Sequence, residues 1–85
     1  MKEVHYSYHA RRRMEERGIS EQEVVLVLHE PDELEPAGKG RQNAFKKVGE
    51  RLIRVTFKEE TQRTVVITAT KRKAKTKGVG NEDRI

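Results

Sequence analysis

The chain has 85 residues, 33% hydrophobic and 39% charged, with a formal net charge of +5, so it forms one domain with a modest core. The absence of cysteine excludes a disulfide framework, a thiolate zinc site and a cysteine nucleophile, and no apolar run approaches the roughly 20 residues that a membrane span needs. A basic surplus of this kind favours a polyanionic partner, nucleic acid first, through release of condensed counterions.

Val4 and Tyr6 alternate with His5 and Ser7, which predicts a brief edge strand. The stretch from Ser7 to Ser20 concentrates the chemistry. Ser7 is placed to cap a helix N-terminus and Gly18 to close its C-terminus in the left-handed conformation, with Ile19 reaching back to Met14. At about 100° per residue, His9, Arg13 and Arg17 form one ridge, and Ala10 and Met14 form the apolar ridge beside it. Arg11 and Arg12 read as a solvated face. Arg13 and Arg17 border the apolar seam, where each either meets an anion or pairs with a structural carboxylate.

Ser20-Glu21-Gln22-Glu23 is a capping box that opens a second helix, with Ile19 and Val24 at the two staple positions. The run Val24 to Leu28 has strand propensity, but the capping box decides for helix. The helix stops by His29 or Glu30, because the residue before Pro31 is driven out of the α region. Apolar nearly all round its middle, it is expected to be the main layer on a sheet. His29 near its end is favoured as a cation by the helix dipole. From Pro31 to Arg41 the glycines and prolines allow at most a strand fragment, Glu33 to Glu35, followed by a flexible loop. Gly38-Lys39-Gly40-Arg41 lacks the spacing and flanking elements of a phosphate-binding loop.

From Asn43 onward the hydrophobic period becomes two. Asn43 to Val48 and Arg51 to Lys58 form a hairpin about Gly49-Glu50, and Thr64 to Thr70 a further strand. Ile53, Val55 and Phe57 then share one face and Leu52, Arg54 and Thr56 the other; in the last strand Val65, Ile67 and Ala69 alternate with Val66, Thr68 and Thr70. With Val48 opposite Arg51, Phe45 faces Arg54 and Lys47 faces Leu52, so that Lys47, Arg54, Thr56 and Thr68 share a face. The expected architecture is α+β: two N-terminal helices on an antiparallel β-meander, one sheet face covered and the other concave and polar. Residues 1–72 make the domain. Residues 73–85 are read as a mobile basic tail; the run 71–77 alone carries five positive charges.

The pattern His-Ala-x-x-Arg-Met-x-x-Arg-Gly-Ile-Ser over residues 9–20, the apolar helix after it, Pro31-Asp32 and the strand ending Val-Ile-Thr resemble a small bacterial and archaeal domain family grouped with the RelE/ParE toxin superfamily. The resemblance spans about residues 4–72 and implies a RelE-like βααβββ fold. It also implies a metal-independent RNA endonuclease that cuts messenger RNA at the ribosome, in which the 2′-hydroxyl attacks the adjacent phosphate. Lys46-Lys47-Val48-Gly49-Glu50-Arg51, Arg54 and Lys71-Arg72-Lys73 are similar to the superfamily's basic hairpin and basic last strand. The tyrosine that often follows that cluster is missing from residues 73–85, which leaves His9 as the candidate acid or base, since imidazole titrates near neutral pH. In that reading Arg13, Arg17 and Arg54 stabilise the phosphate, while Lys47, Arg51, Lys71, Arg72 and Lys73 hold the RNA.

Two alternatives stand beside it. One is a noncatalytic module that docks on RNA, the ribosome or a protein target, as ParE-type relatives do on gyrase, with His9 only a hydrogen-bonded strut. The other, which either case allows, is that the concave face is normally filled by an acidic, helical antitoxin segment. No metal or other cofactor is expected, because no His, Asp or Glu cluster has ligand spacing. The expected location is the cytoplasm, since no signal-peptide core follows the charged N-terminus.

Overall fold

The computed structural model describes residues 3–73. The elements run β1 (Glu3–Tyr6), α1 (Tyr8–Arg17), α2 (Glu21–His29), β2 (Glu33–Gly38), β3 (Arg41–Val48), β4 (Arg51–Glu59) and β5 (Arg63–Lys73). The fold is α+β, as the residue pattern predicts. Its sheet is larger and of different kind: five strands in the order β1-β5-β4-β3-β2, antiparallel from β2 to β5 but with β1 parallel to β5. The sheet is therefore mixed. The two helices carry the chain from one edge of it, β1, to the other, β2.

Both helices begin and end where their caps require. The Ser7 hydroxyl accepts a hydrogen bond from Ala10 N–H, and Gly18 closes α1 at φ +67°, letting Ile19 N–H donate to Met14 O at 2.8 Å. In α2 the capping box is complete: Glu23 N–H donates to the Ser20 hydroxyl and Ser20 N–H to Glu23 Oε1. Ala10 and Met14 of α1 and Val24 and Val27 of α2 face the sheet and meet Ile53, Val55, Phe57, Val66 and Ala69 in one core. Each fully buried Val or Ile contributes about 1.5–3 kcal/mol. The expectation that α2 is the principal layer needs correction. Its apolar girdle is only half used, with Leu26 38% exposed, while α1 lies along β5 and shares the covering of the sheet.

The free edge of β5 explains that position. Beyond Tyr6 the short β1 no longer pairs with β5, leaving the outward carbonyls of Ile67 and Ala69 without a strand partner. Side chains of the first helix region fill the role: the Ser7 hydroxyl donates to Ile67 O at 3.2 Å and Arg17 Nη1 to Ala69 O at 2.8 Å.

Two strands differ from the sequence reading. The register of β4 on β5 shifts between Thr56 and Phe57, which leaves Ile67 as an extra, unpaired residue. This bulge breaks the simple alternation, so Val66 and Ala69 are buried together, three residues apart. The supposed flexible loop after Glu35 is ordered. β2 continues to Gly38 and turns through Lys39 and Gly40 into β3, all three turn residues having φ between 55° and 80°. The glycines serve the left-handed geometry of a tight hairpin rather than mobility. Of the tail read from residues 73–85, Lys73 instead ends β5, paired with Arg51, and residues 74–85 lie outside the described residues.

Candidate nucleic-acid interface

The β3–β4 register is the one that the Gly49-Glu50 turn dictates, with Val48 opposite Arg51, Lys47 opposite Leu52, Phe45 opposite Arg54 and Asn43 opposite Thr56. Because Ile53 and Val55 point into the core, Leu52, Arg54 and Thr56 lie on the face that no helix covers. On β5 they stand opposite Arg72, Thr70 and Thr68. Three rows therefore cross this open face: Asn43–Thr56–Thr68, Phe45–Arg54–Thr70 and Lys47–Leu52–Arg72. The first row is satisfied internally, the Thr56 hydroxyl donating to Asn43 Oδ1 at 2.6 Å.

Arg54 is not satisfied. Its Nε is buried and has no hydrogen-bond partner, and no ion pair engages its guanidinium among the described residues. A depression of about 140 Å³ beside it is lined by Phe45, Leu52, Arg54, Thr70 and Arg72. A buried N–H left unpaired costs about 1–3 kcal/mol, so the arrangement suits an incoming acceptor. Two guanidiniums and one ammonium, Arg54, Arg72 and Lys47, gather here across β3, β4 and β5, while on β2 the same rows continue to Glu33 beside Phe45 and Glu35 beside Asn43, which set two carboxylates at that edge of the face. Phosphate and carboxylate are the oxyanions that Arg recognises bidentately.

The other residues singled out in the sequence go elsewhere. Lys71 turns to the helix side of the sheet, where Nζ donates to Gly18 O and pairs with Glu23 Oε2 at 3.2 Å. That tie joins β5 to the start of α2. The Ser20 backbone hydrogen bond, with the Lys71 ammonium beside it, holds the Glu23 carboxyl below the usual glutamate range. Arg51 and Lys73, paired across the end of β4 and β5, have the same parity as Ile53 and Lys71 and lie on the helix side too. On α1, Arg17 is committed to Ala69 O and Arg13 to Glu16 Oε1 at 3.3 Å. His9 is exposed on the same ridge, with no hydrogen bond or ion pair among the described residues. Lys47, Arg54 and Arg72 thus cluster toward one end of the open face, with Arg41 and Lys58 paired at its other end. Lys71, Arg51 and Lys73 do not join it, and Arg13 and Arg17 have local partners.

Larger depressions exist, one along the outer side of α2 between Glu21 and Glu30 and one under the α2 C-terminus around Leu28, Leu34 and Phe57. Neither gathers cations; a third, on α1, is lined by Arg11 and Arg12 but also by Glu15 and Glu21, and Arg11 is paired with Glu21 there. Among the described residues no group of three His, Asp or Glu side chains is arranged to hold a metal ion, and no helix is long and apolar enough to cross a membrane.

Residues 6–71 match the family model described as a domain of unknown function, DUF4258. The chain belongs to that family. No curated protein and no solved structure matches it. The match covers α1, α2, β2, β3 and β4 entirely and most of β5, so the open face with Arg54 lies inside the DUF4258 domain. Sequence reading had placed Arg54 and Lys47 together through the hairpin register. It gave no role to Phe45 or Thr70, although the same register put Phe45 opposite Arg54 and would have marked it.

Proposed function

We propose that this DUF4258 chain is a toxin-type, RelE-like RNA endonuclease that works without a metal, and that its open sheet face holds the RNA backbone. The observation that carries the reading is Arg54, whose buried Nε lacks an acceptor in a depression shared with Arg72. A phosphodiester oxygen supplies that acceptor, and Arg54 and Arg72 offset the charge that builds on phosphorus as it becomes pentacoordinate. Lys47 holds a neighbouring phosphate.

In the reaction the 2′-hydroxyl oxygen bonds to phosphorus while its proton passes to a base, and the bond to the 5′-oxygen breaks as that oxygen is protonated. The products are a 2′,3′-cyclic phosphate and a 5′-hydroxyl. His9 is the candidate for the proton transfers. It is exposed on α1, which packs on the covered side of the sheet, and it is not among the residues that line the Arg54 depression, so the RNA has to pass the β5 edge to meet both. In this reading the protein acts in the cytoplasm on messenger RNA at the ribosome, and an acidic antitoxin segment neutralises the same cations.

A second reading, a noncatalytic module that binds RNA, ribosome or protein, is favoured by one specific observation. Arg13 and Arg17 already have partners, leaving His9 as the one α1 candidate that is not engaged.

Primer extension on messenger RNA, with and without translating ribosomes, decides between them when wild type is run beside His9→Ala and Arg54→Gln. Cuts that disappear in both variants support the nuclease. Intact RNA in every lane, with the protein folded and retarding RNA on a gel, leaves the binding module. Protein that neither cuts nor binds RNA overturns both RNA readings.

A further inference from the structure

The depression at Arg54 is half apolar, which a site for bare phosphate does not require. Counting back from the two-residue turn, Val48–Arg51 is a hydrogen-bonded pair and Phe45–Arg54 a non-hydrogen-bonded one, the class in which facing side chains approach most closely. The Phe45 carbonyl agrees, since it accepts from Asp32 N–H on the β2 side. Phe45 therefore abuts the Arg54 stem from β3, with Leu52 in the next row of β4, and Thr70 and Arg72 border the depression from β5. The Phe45 ring is not taken by a cation: among the described residues the guanidinium seated over a ring is Arg11 on Tyr6, at 5.0 Å.

An aromatic ring of half-buried exposure beside two guanidiniums matches a ligand with a flat apolar face and a phosphate attached to it. We propose that the Phe45–Arg54 depression seats one unpaired nucleotide, its base stacked on Phe45 and its phosphate on Arg54 and Arg72, so that the protein binds single-stranded RNA and excludes duplex. This inference rests on the RNA-binding reading above and deepens it. A duplex turns its bases inward and offers a flat sheet only phosphate and sugar, so Phe45 finds nothing to stack on. Single strands expose both base face and phosphate, and the stack tolerates any base because every base has a π-face. Thr70, with a hydroxyl that donates or accepts, lies where a sugar or base-edge group would be met.

The test is fluorescence anisotropy with the full chain and three non-cleavable 2′-O-methyl probes of equal length: a uridine strand, the same strand paired with its complement, and an abasic sugar–phosphate strand of the same charge. The abasic and duplex probes are expected to bind about tenfold more weakly than the uridine strand. Phe45→Leu is expected to erase that difference and Phe45→Tyr to keep it, with salt dependence unchanged in both. Equal affinity of wild type for uridine and abasic strands overturns the base pocket while leaving backbone binding intact. Absence of binding to all three probes overturns the RNA reading itself. Both wild-type comparisons hold even where a Phe45 variant fails to fold.

Discussion

At the scale of single residues the chain divides its cations between two tasks. Lys71 and Arg17 close hydrogen-bond accounts of the fold, whereas Arg54 is kept without a partner. Glu23 shows what the first task is worth. Its folded pKa is depressed by the Ser20 backbone bond and by Lys71, so its contribution is present above the unfolded pKa and lost as pH falls through the folded value. Glu23→Gln keeps an acceptor for the capping box but removes the charge. It is expected to lower unfolding free energy by roughly 0.5–1 kcal/mol at pH 7 and by close to nothing near pH 3, read from urea titrations at both values. Arg54 should behave in the opposite way. Removing an unpaired buried N–H relieves a cost, so Arg54→Met is expected to leave the melting temperature unchanged or higher while RNA affinity falls. A drop of several degrees would mean that the guanidinium has a structural partner after all.

Elements are decided here by their edges. β2 is exposed along its whole length and rich in Glu, with Pro36 and Gly38, a composition that argues against a strand on propensity. It forms because β3 offers a ladder. Glu33 and Glu35 pair with the inward-bonding Phe45 and Asn43, which leaves Leu34 and Pro36 facing outward. Pro36 has no N–H to present there, so the edge is a poor template for another strand. The hairpin joining β2 to β3 holds the one residue other than glycine with positive φ among the described residues, Lys39 at 55°. Positive φ at both central residues is the type I′ pattern, for which Asn-Gly is best suited. Lys39→Asn is expected to raise stability by about 0.5–1 kcal/mol, measurable by thermal or denaturant unfolding. A loss of stability would show that the lysine side chain, not its backbone, is what the turn needs.

Over the whole molecule the basic excess is sorted by the sheet into two faces. Lys47, Arg54 and Arg72 lie on the open side, Arg51, Lys71 and Lys73 on the helix side. Net charge alone would assign all six to a nucleic acid. If only the three cations about the Arg54 depression bind, and Arg41 and Lys58 at the far end of the same face do not, three phosphates are neutralised. The logarithm of single-strand affinity should then fall with the logarithm of salt concentration at a slope of about −2. Arg54→Gln should make the slope shallower by about 0.7, and Arg51→Gln should leave it unchanged. A slope that responds equally to both variants would mean that the RNA wraps the end of the sheet rather than crossing its open face.

Local chemistry was legible in the residues themselves. Ser7, Gly18 and the Ser20–Glu23 box fixed both helices, and a two-residue turn at Gly49-Glu50 fixed the β3–β4 register, because each is a contact between neighbours in the chain. From that register followed the shared face of Lys47 and Arg54. What the chain could not announce were pairings between distant segments. β1 lies parallel to β5 some sixty residues away, the β5 bulge at Ile67 answers to Ser7, and Arg17 and Lys71 were spent on carbonyls and a carboxylate brought near only by the packing of α1 and α2. A guanidinium or ammonium has the same sequence signature whether it waits for a phosphate or caps a strand edge. The tertiary structure alone decided which cations remained available, because that depends on which acceptors folding brings within hydrogen-bond reach.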